Sequence, residues 1–498
     1  MTVSLPTGSI RRGLLALVVP SVVAMAACSA APVGTAAPPA PEQAAPAGLP
    51  VDRTSHDPVG EVRVAYPDVP ARWVDPDGGD VAALDLAAIW GLPLFRIDDA
   101  GQLRSGLVTG FDEHMDGDRF LVWLDLAEGD WSDGTPVNAE DVVATFGALR
   151  EAGAPTLELL VDADTVDGRV RLTFSQRTDA WPYALIGSGG VLPARVLADG
   201  GLATFASDLP VTGGWFRLDT HEPGRSATFV ANEGSPLGAP GLQRVTILFV
   251  PRYEAALGFL DSGDADLVLG HLALNPVERA LALDGVTAAA PIGGTSVVLE
   301  ARSEGRLGDE SPQVRREVLS AIEVGQLVEG LLADAGAPAT SMFPGVDGPF
   351  VEERLGVSSA PAVVMLTPRW HEIIGFTART VERDLESHQI VTDLVSEETP
   401  FFTRTARSRY DLVLRIRRDP PLPALSGYAA EPDRSSVAAV AMGERRSVDD
   451  RLAEAAFVRP LYRAGPAHAW DRSLEGIRPS SWPGLAFWNV GSWTRSAP

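Results

Sequence analysis

A chain of 498 residues is long enough to fold around more than one hydrophobic core, and an apolar content of 45% excludes general disorder. The net charge is −25, and the 41 basic residues are all arginine. So acidic a chain is a poor partner for nucleic acid, whose phosphates demand clustered cations, and without lysine it has neither a Schiff-base nucleophile nor a phosphate-loop lysine.

Taken in chain order, Arg11 and Arg12 open a short basic region, and Gly13 to Val23 is almost wholly apolar. Met25-Ala26-Ala27 then supplies small residues ahead of Cys28, the one cysteine, so no internal disulfide can form. The pattern is that of a secretory signal, residues 1–27, and the apolar run is short for a membrane span. A Cys directly after such a signal resembles a bacterial lipobox, in which the thiol is acylated. Residues 28–58 are rich in Ala, Pro and Gly and read as a lipidated, disordered tether, since they cannot bury enough surface to fold.

The folded body is expected to begin near Gly60, where Val62, Val64 and Tyr66 alternate with polar positions as in a strand. Phe120 to Leu126 reads as a buried strand, Asp133-Gly134 as a turn, and Asn138 as the N-cap of a helix. Glu140 and Asp141 fall in that helix's first turn, where the dipole favours negative charge. Further strands are expected at 169–174, 227–230, 245–250, 362–366 and 410–416. Helices are expected at 253–260, 378–387 and 313–332, the last a single helix or a pair. The mixture is α/β.

Several segments carry a family resemblance. The strongest is Trp131-Ser132-Asp133-Gly134-Thr135-Pro136-Val137-Asn138-Ala139-Glu140-Asp141-Val142. With it stand Ile89-Trp90-Gly91-Leu92-Pro93-Leu94-Phe95, Pro210-Val211-Thr212-Gly213-Gly214-Trp215-Phe216, Leu260 to Asp266, Val314-Arg315 with Ala321-Ile322-Glu323, and Tyr410-Asp411-Leu412. In this order they resemble the signature of the family 5 solute-binding proteins, the peptide and nickel receptors of ABC importers. The resemblance implies an α/β, two-lobed periplasmic-binding-protein-like fold with an inserted extra subdomain and a ligand cleft between the lobes. Lobe I would comprise residues 59–88, 206–290 and 464–498, the inserted subdomain 89–205, and lobe II 291–463, with hinge strands near Pro291 and Arg463.

The function it implies is an extracytoplasmic lipoprotein, moored to the cell membrane through Cys28. It would bind a small solute or short peptide by lobe closure and deliver it to an ABC permease, as a monomer and without cofactor or nucleic acid. Within the same fold, a nickel chelate or a sugar is an alternative ligand. A non-transporting envelope scaffold or regulator, or a secreted hydrolase, is an alternative role.

Metal and enzyme motifs are poor. His371-Glu372-Ile373-Ile374-Gly375 begins like a zincin motif, but glycine stands where the second histidine must sit. Ligand candidates are Trp90 and Trp370, large amphipathic rings of the kind that line pockets; Thr212 and Gly213, where glycine permits close backbone approach; and Thr295, ahead of the strand entering lobe II. Core packing or a tight turn is the competing reading of each. Asp419 matches the position at which the family's peptide receptors meet an α-amino group. Arg415, Arg417 and Arg418 depart from the family pattern there. Guanidinium forks at Arg415 and Arg418 could receive a carboxylate or phosphate, or simply neutralise an acidic surface.

Overall fold

The computed structural model describes residues 53–76, 79–99, 102–154, 157–178, 181–183, 189–343, 347–350, 360–368, 371–397, 410–418 and 442–496. Cys28, Trp370 and Asp419 lie outside them, as do the signal, most of the tether and residues 419–441. Among the described residues no helix is long and apolar enough to cross a membrane.

Three sheets carry the chain. A seven-stranded sheet runs in the order Val286–Ala289, Ala467–Asp471, Leu267–His271, Glu61–Tyr66, Arg244–Phe249, Ser226–Ala231, Phe216–Glu222. Its three central strands are parallel and its flanks antiparallel. Parallel strands need both faces covered. Val62, Val64 and Tyr66 accordingly enter one core and Ala65 another, the latter beneath the helix Tyr253–Ser262.

A four-stranded antiparallel sheet, ordered Val108–Asp116, Arg119–Leu126, Arg169–Phe174, Leu160–Val166, is one-sided. Phe120, Val122, Leu124, Val170, Leu172 and Phe174 are buried, and the residues between them are not. The helix Ala139–Glu151 supplies Val142, Phe146 and Leu149 to the same core, which is continuous with the main core of the seven-stranded sheet.

The third sheet is six-stranded, in the order Gly336–Pro338, Val458–Ala464, Thr295–Ala301, Leu412–Arg418, Val363–Pro368, Thr392–Glu397, and has its own core. The apolar run at 313–332 is a helix pair, Pro312–Ser320 and Val324–Leu331. Ser311 caps the first helix through Val314 N, and Pro312 opens it. The helix expected at 378–387 begins earlier, at Glu372, and packs Ile373, Ile374, Ala378, Val381 and Leu385 inward.

The chain passes from the seven- to the six-stranded sheet after Ala289 and returns before Ala467. The two crossings touch, for a Cβ on Gly465 would stand 2.1 Å from Ala290 O. The architecture is thus the expected α/β one with two lobes: two sheets with separate cores, joined by a pair of adjacent crossings.

Candidate functional site

The signature turn folds as its local chemistry dictates. Gly134 takes φ +81°, which favours glycine, and Trp131 N donates to Thr135 O at 2.8 Å. Asn138 Oδ1 accepts from Asp141 N at 3.1 Å while Asp141 Oδ2 accepts from Asn138 N at 3.0 Å, a complete capping box. Thr212 is tied to this turn: its amide donates to Ser132 Oγ at 3.0 Å, and its carbonyl accepts from Ser132 N at 2.9 Å. Thr212 and Gly213 are therefore packing residues that join the turn to the seven-stranded sheet. A Cβ at Gly213 would stand 2.8 Å from both Leu92 Cδ2 and Trp131 Cζ3.

Trp90 also lies in the core, correcting its expected place in a ligand pocket. It ends the helix Val81–Trp90, its carbonyl accepts from Gly214 N at 2.9 Å, and its ring lies against Gly189. The ring of Trp215 is likewise buried, and its indole donates to Thr54 Oγ1 at 3.1 Å.

A cavity of about 960 Å³ opens between the two sheets. From the seven-stranded sheet come residues at or just past the carboxyl ends of its parallel strands: Pro67, Asp68 and Val69, then Pro251 to Glu254, and Gly270 to Leu272. From the six-stranded sheet come Ile416 and Arg418 at the end of the strand Leu412–Arg418, and His371 and Glu372 at the start of the helix after Val363–Pro368. The starts of the helices Val81–Trp90 and Tyr253–Ser262 line it too. Open α/β sheets bind ligands in this place, beyond the carboxyl ends of their strands.

Its charges are mixed and mostly committed. Asp80 caps its helix through Ala82 N and Ala83 N. Arg279 pairs with Glu254 and, 3.6 Å away across the cavity, with Glu372. Arg418 Nη1 donates to Asp68 Oδ2 at 2.7 Å, a second pair that spans the two sheets. Arg252 is exposed at the rim and makes no ion pair among the described residues. Behind Arg418 lies a void of about 30 Å³, lined by Tyr66, Asp85, Thr295 and His468. Tyr66 Oη donates to Asp85 Oδ2 at 2.6 Å, and Ala486 N donates to Asp85 Oδ1 at 2.7 Å.

Burial dominates the protonation equilibria here. It raises the Asp85 carboxyl to about 6 and lifts the Tyr66 hydroxyl well above its usual value. Burial, with the Arg418 charge second, lowers His371 to about 4, and burial lowers His468 to about 4. His371 is thus neutral at physiological pH. Among the described residues no cluster of three or more His, Cys, Asp or Glu is arranged to hold a metal ion.

Of the ligand candidates, Thr295 stands beside the large cavity without lining it. It is buried, lines the void and is the cross-strand neighbour of Arg418. The three arginines separate. Arg415 pairs with Glu300, Arg417 is buried within the six-stranded lobe, and Arg418 faces the cavity. Sequence reasoning missed Asp68, Tyr253, Arg279, His271 and Glu372 as lining residues. The signal that could have found them is positional: each ends or follows a parallel strand or lies on the helix after one.

Residues 128–356 match the model of a family described as bacterial extracellular solute-binding proteins, family 5, middle region. Over 159 residues the chain is 29% identical to a probable monoacyl phosphatidylinositol tetramannoside-binding protein, LpqW, of Mycobacterium tuberculosis; the match takes in 29% of this chain and 24% of that protein. It therefore spans about a quarter of that curated relative's length. Among solved structures, the periplasmic EDTA-binding protein EppA superposes with a TM-score of 0.78 at 17% identity, over 90% of this chain and 98% of that one. The oligopeptide-binding protein AppA of Bacillus subtilis, solved with a nonapeptide, gives 0.69 at 16% identity over 89% and 100%. At such identities the superpositions speak to fold.

Proposed function

Residues 128–356 belong to family 5 of the bacterial extracellular solute-binding proteins, whose members serve ABC importers, and from that premise we propose that this chain is an extracytoplasmic receptor for short peptides. In this reading the peptide is held by closure of the lobes and passed to a membrane permease. The receptor is moored through an acylated Cys28, with lobe I formed by residues 59–88, 206–290 and 464–498, lobe II by 291–463, and the subdomain 89–205 inserted in lobe I.

The observation that carries this reading is the cavity of about 960 Å³ between two separately cored sheets, lined by unlike charges. That volume lies near the upper end for small-molecule sites, which suits an oligomeric ligand more than a single small ion. The mix of Asp68, Glu254 and Glu372 with Arg252, Arg279 and Arg418 suits a zwitterion. Such an opening also weighs against the scaffold reading, for which a filled cleft would be the natural arrangement. Closure needs only that the ligand touch both lobes and so bind the closed state better than the open one. The nonapeptide bound to AppA supports a peptide as the ligand class by analogy of fold alone.

Thermal unfolding of the secreted protein in the presence of pooled di- and tripeptides tests this. A ligand that binds only the native state raises the midpoint with concentration. A rise with peptides and none with sugars or nickel–histidine is expected. A rise with a sugar or chelate alone overturns the peptide assignment.

A further inference from the structure

We propose that Arg418 is the anchor for a carboxylate on the ligand, and that Asp68 holds that position until the ligand displaces it. The inference rests on the reading of the interlobe cavity as the solute site.

Arg418 ends the strand Leu412–Arg418, and Asp68 follows the strand Glu61–Tyr66 of the other sheet, so their contact bridges the two lobes. It is one-pronged, Nη1 to Oδ2 at 2.7 Å. Elsewhere in the chain the fork is used fully: Arg63 places Nε on Asp266 Oδ2 at 3.2 Å and Nη2 on Oδ1 at 3.3 Å. A guanidinium binds a carboxylate best through two parallel hydrogen bonds, and a one-pronged pair leaves donors in reserve.

The side chain of Arg418 is 29% exposed, and it borders both the large cavity and the small void behind it. The nearby Asp85 does not compete for it, because both its oxygens are already engaged by Tyr66 and Ala486. Leu272, Val81 and Ile416 around the pair lower the local dielectric, which strengthens whichever carboxylate the fork receives. Asp68 is 38% exposed and therefore cheap to release into water.

A carboxylate can come from a peptide C-terminus or from a non-peptide acid. Isothermal titration separates these sources with three probes: a tripeptide pool with free C-termini, the same pool amidated, and a set of polycarboxylates including EDTA and citrate. We expect at least one acid arm to bind, and the amidated pool to bind roughly ten- to hundredfold more weakly than its free-acid counterpart if peptides are the source. Arg418→Gln should remove that preference, Arg418→Lys should restore part of it, and Asp68→Asn should tighten acids by removing their competitor.

Equal binding of free-acid and amidated peptides to the unmodified protein overturns the inference while leaving the peptide reading intact. Binding of polycarboxylates but of neither peptide pool, abolished in Arg418→Gln, supports the inference and overturns the peptide reading. Binding of no acid from any arm overturns it. The comparison of free acid with amide needs no variant, so a failure of Arg418→Gln to fold leaves the test standing.

Discussion

Trp131 Nε1 donates to Asp141 Oδ2 at 3.0 Å, which joins the first residue of the signature turn to the helix after it. The same oxygen accepts from Asn138 N, and Asp141 Oδ1 accepts from Ala194 N at 2.7 Å. One buried carboxylate thus closes the capping box, holds an indole and fixes the start of the next helix. Asp141→Ala strips the acceptor from all three donors at once. The expected loss is about 3 kcal/mol or more, read as a lower denaturant midpoint with an unchanged slope. Glu140→Ala, exposed on the same turn, should cost less than about 1 kcal/mol. Equal effects at the two positions would mean that helix charge alone matters here.

Gly213→Ala distinguishes a packing residue from a ligand contact. The new Cβ would meet Leu92 and Trp131, each at 2.8 Å, inside the core. Overpacking of this kind costs about 1–3 kcal/mol. The variant should melt at lower temperature yet, once folded, bind any identified ligand with the affinity of the parent. A normal melting temperature with lost affinity would instead return Gly213 to the binding surface.

The residues that could be read from sequence are those whose structure is set by near neighbours. The turn at Asp133-Gly134, the cap at Asn138 and the helix pair at 312–331 all follow from side chains within a few positions. The helix Val81–Trp90 gave no periodic signal beyond its cap at Asp80. Apart from Asp85 it is apolar on every side, and periodicity vanishes when a helix is buried all round. The site was hidden for a different reason. Asp68, Arg279, Glu372 and Arg418 are spread over 350 residues of chain and converge only when two sheets face each other. Trp90 and Thr212 looked like binding residues because amphipathic rings and polar turns serve both pockets and cores. Their contacts within the core tell the two uses apart.

Asp85 and His468 should give the protein opposing pH dependences. Asp85 titrates near 6 when folded, against about 4 in an unfolded chain, so the native state holds the extra proton between these values. Its contribution is present below about pH 4 and lost as the pH rises through 6. His468, lowered to about 4 by burial, releases its proton on folding; its contribution is present above about pH 6.5 and lost as the pH falls towards 4. Each swing is on the order of 3 kcal/mol. Asp85→Asn should therefore steepen the acid loss of stability by removing the opposing group, and His468→Gln should flatten it. Chemical denaturation at half-unit steps from pH 4 to 7 reads both. Parallel curves for parent and variants would assign the titration to other groups.

The pair between Arg279 and Glu372 gives the weakest and most salt-sensitive of the contacts that cross the cavity. It is 3.6 Å long, and Glu372 is 46% exposed, so its contribution should be well under 1 kcal/mol. Arg279 keeps Glu254 as a partner within its own lobe, which leaves no bare cation when Glu372 is neutralised. Glu372→Gln should therefore leave the melting temperature nearly unchanged while shifting the ligand-free population towards more open lobes. Raising the salt to about 1 M, where the screening length falls to about 3 Å, should do the same to the parent. Spin labels on Val391 and Phe259, exposed positions in the six-stranded and seven-stranded lobes, report the separation without touching the cavity. A distance distribution indifferent both to the substitution and to salt would show that the lobes are held by their apolar contacts and hinge geometry alone.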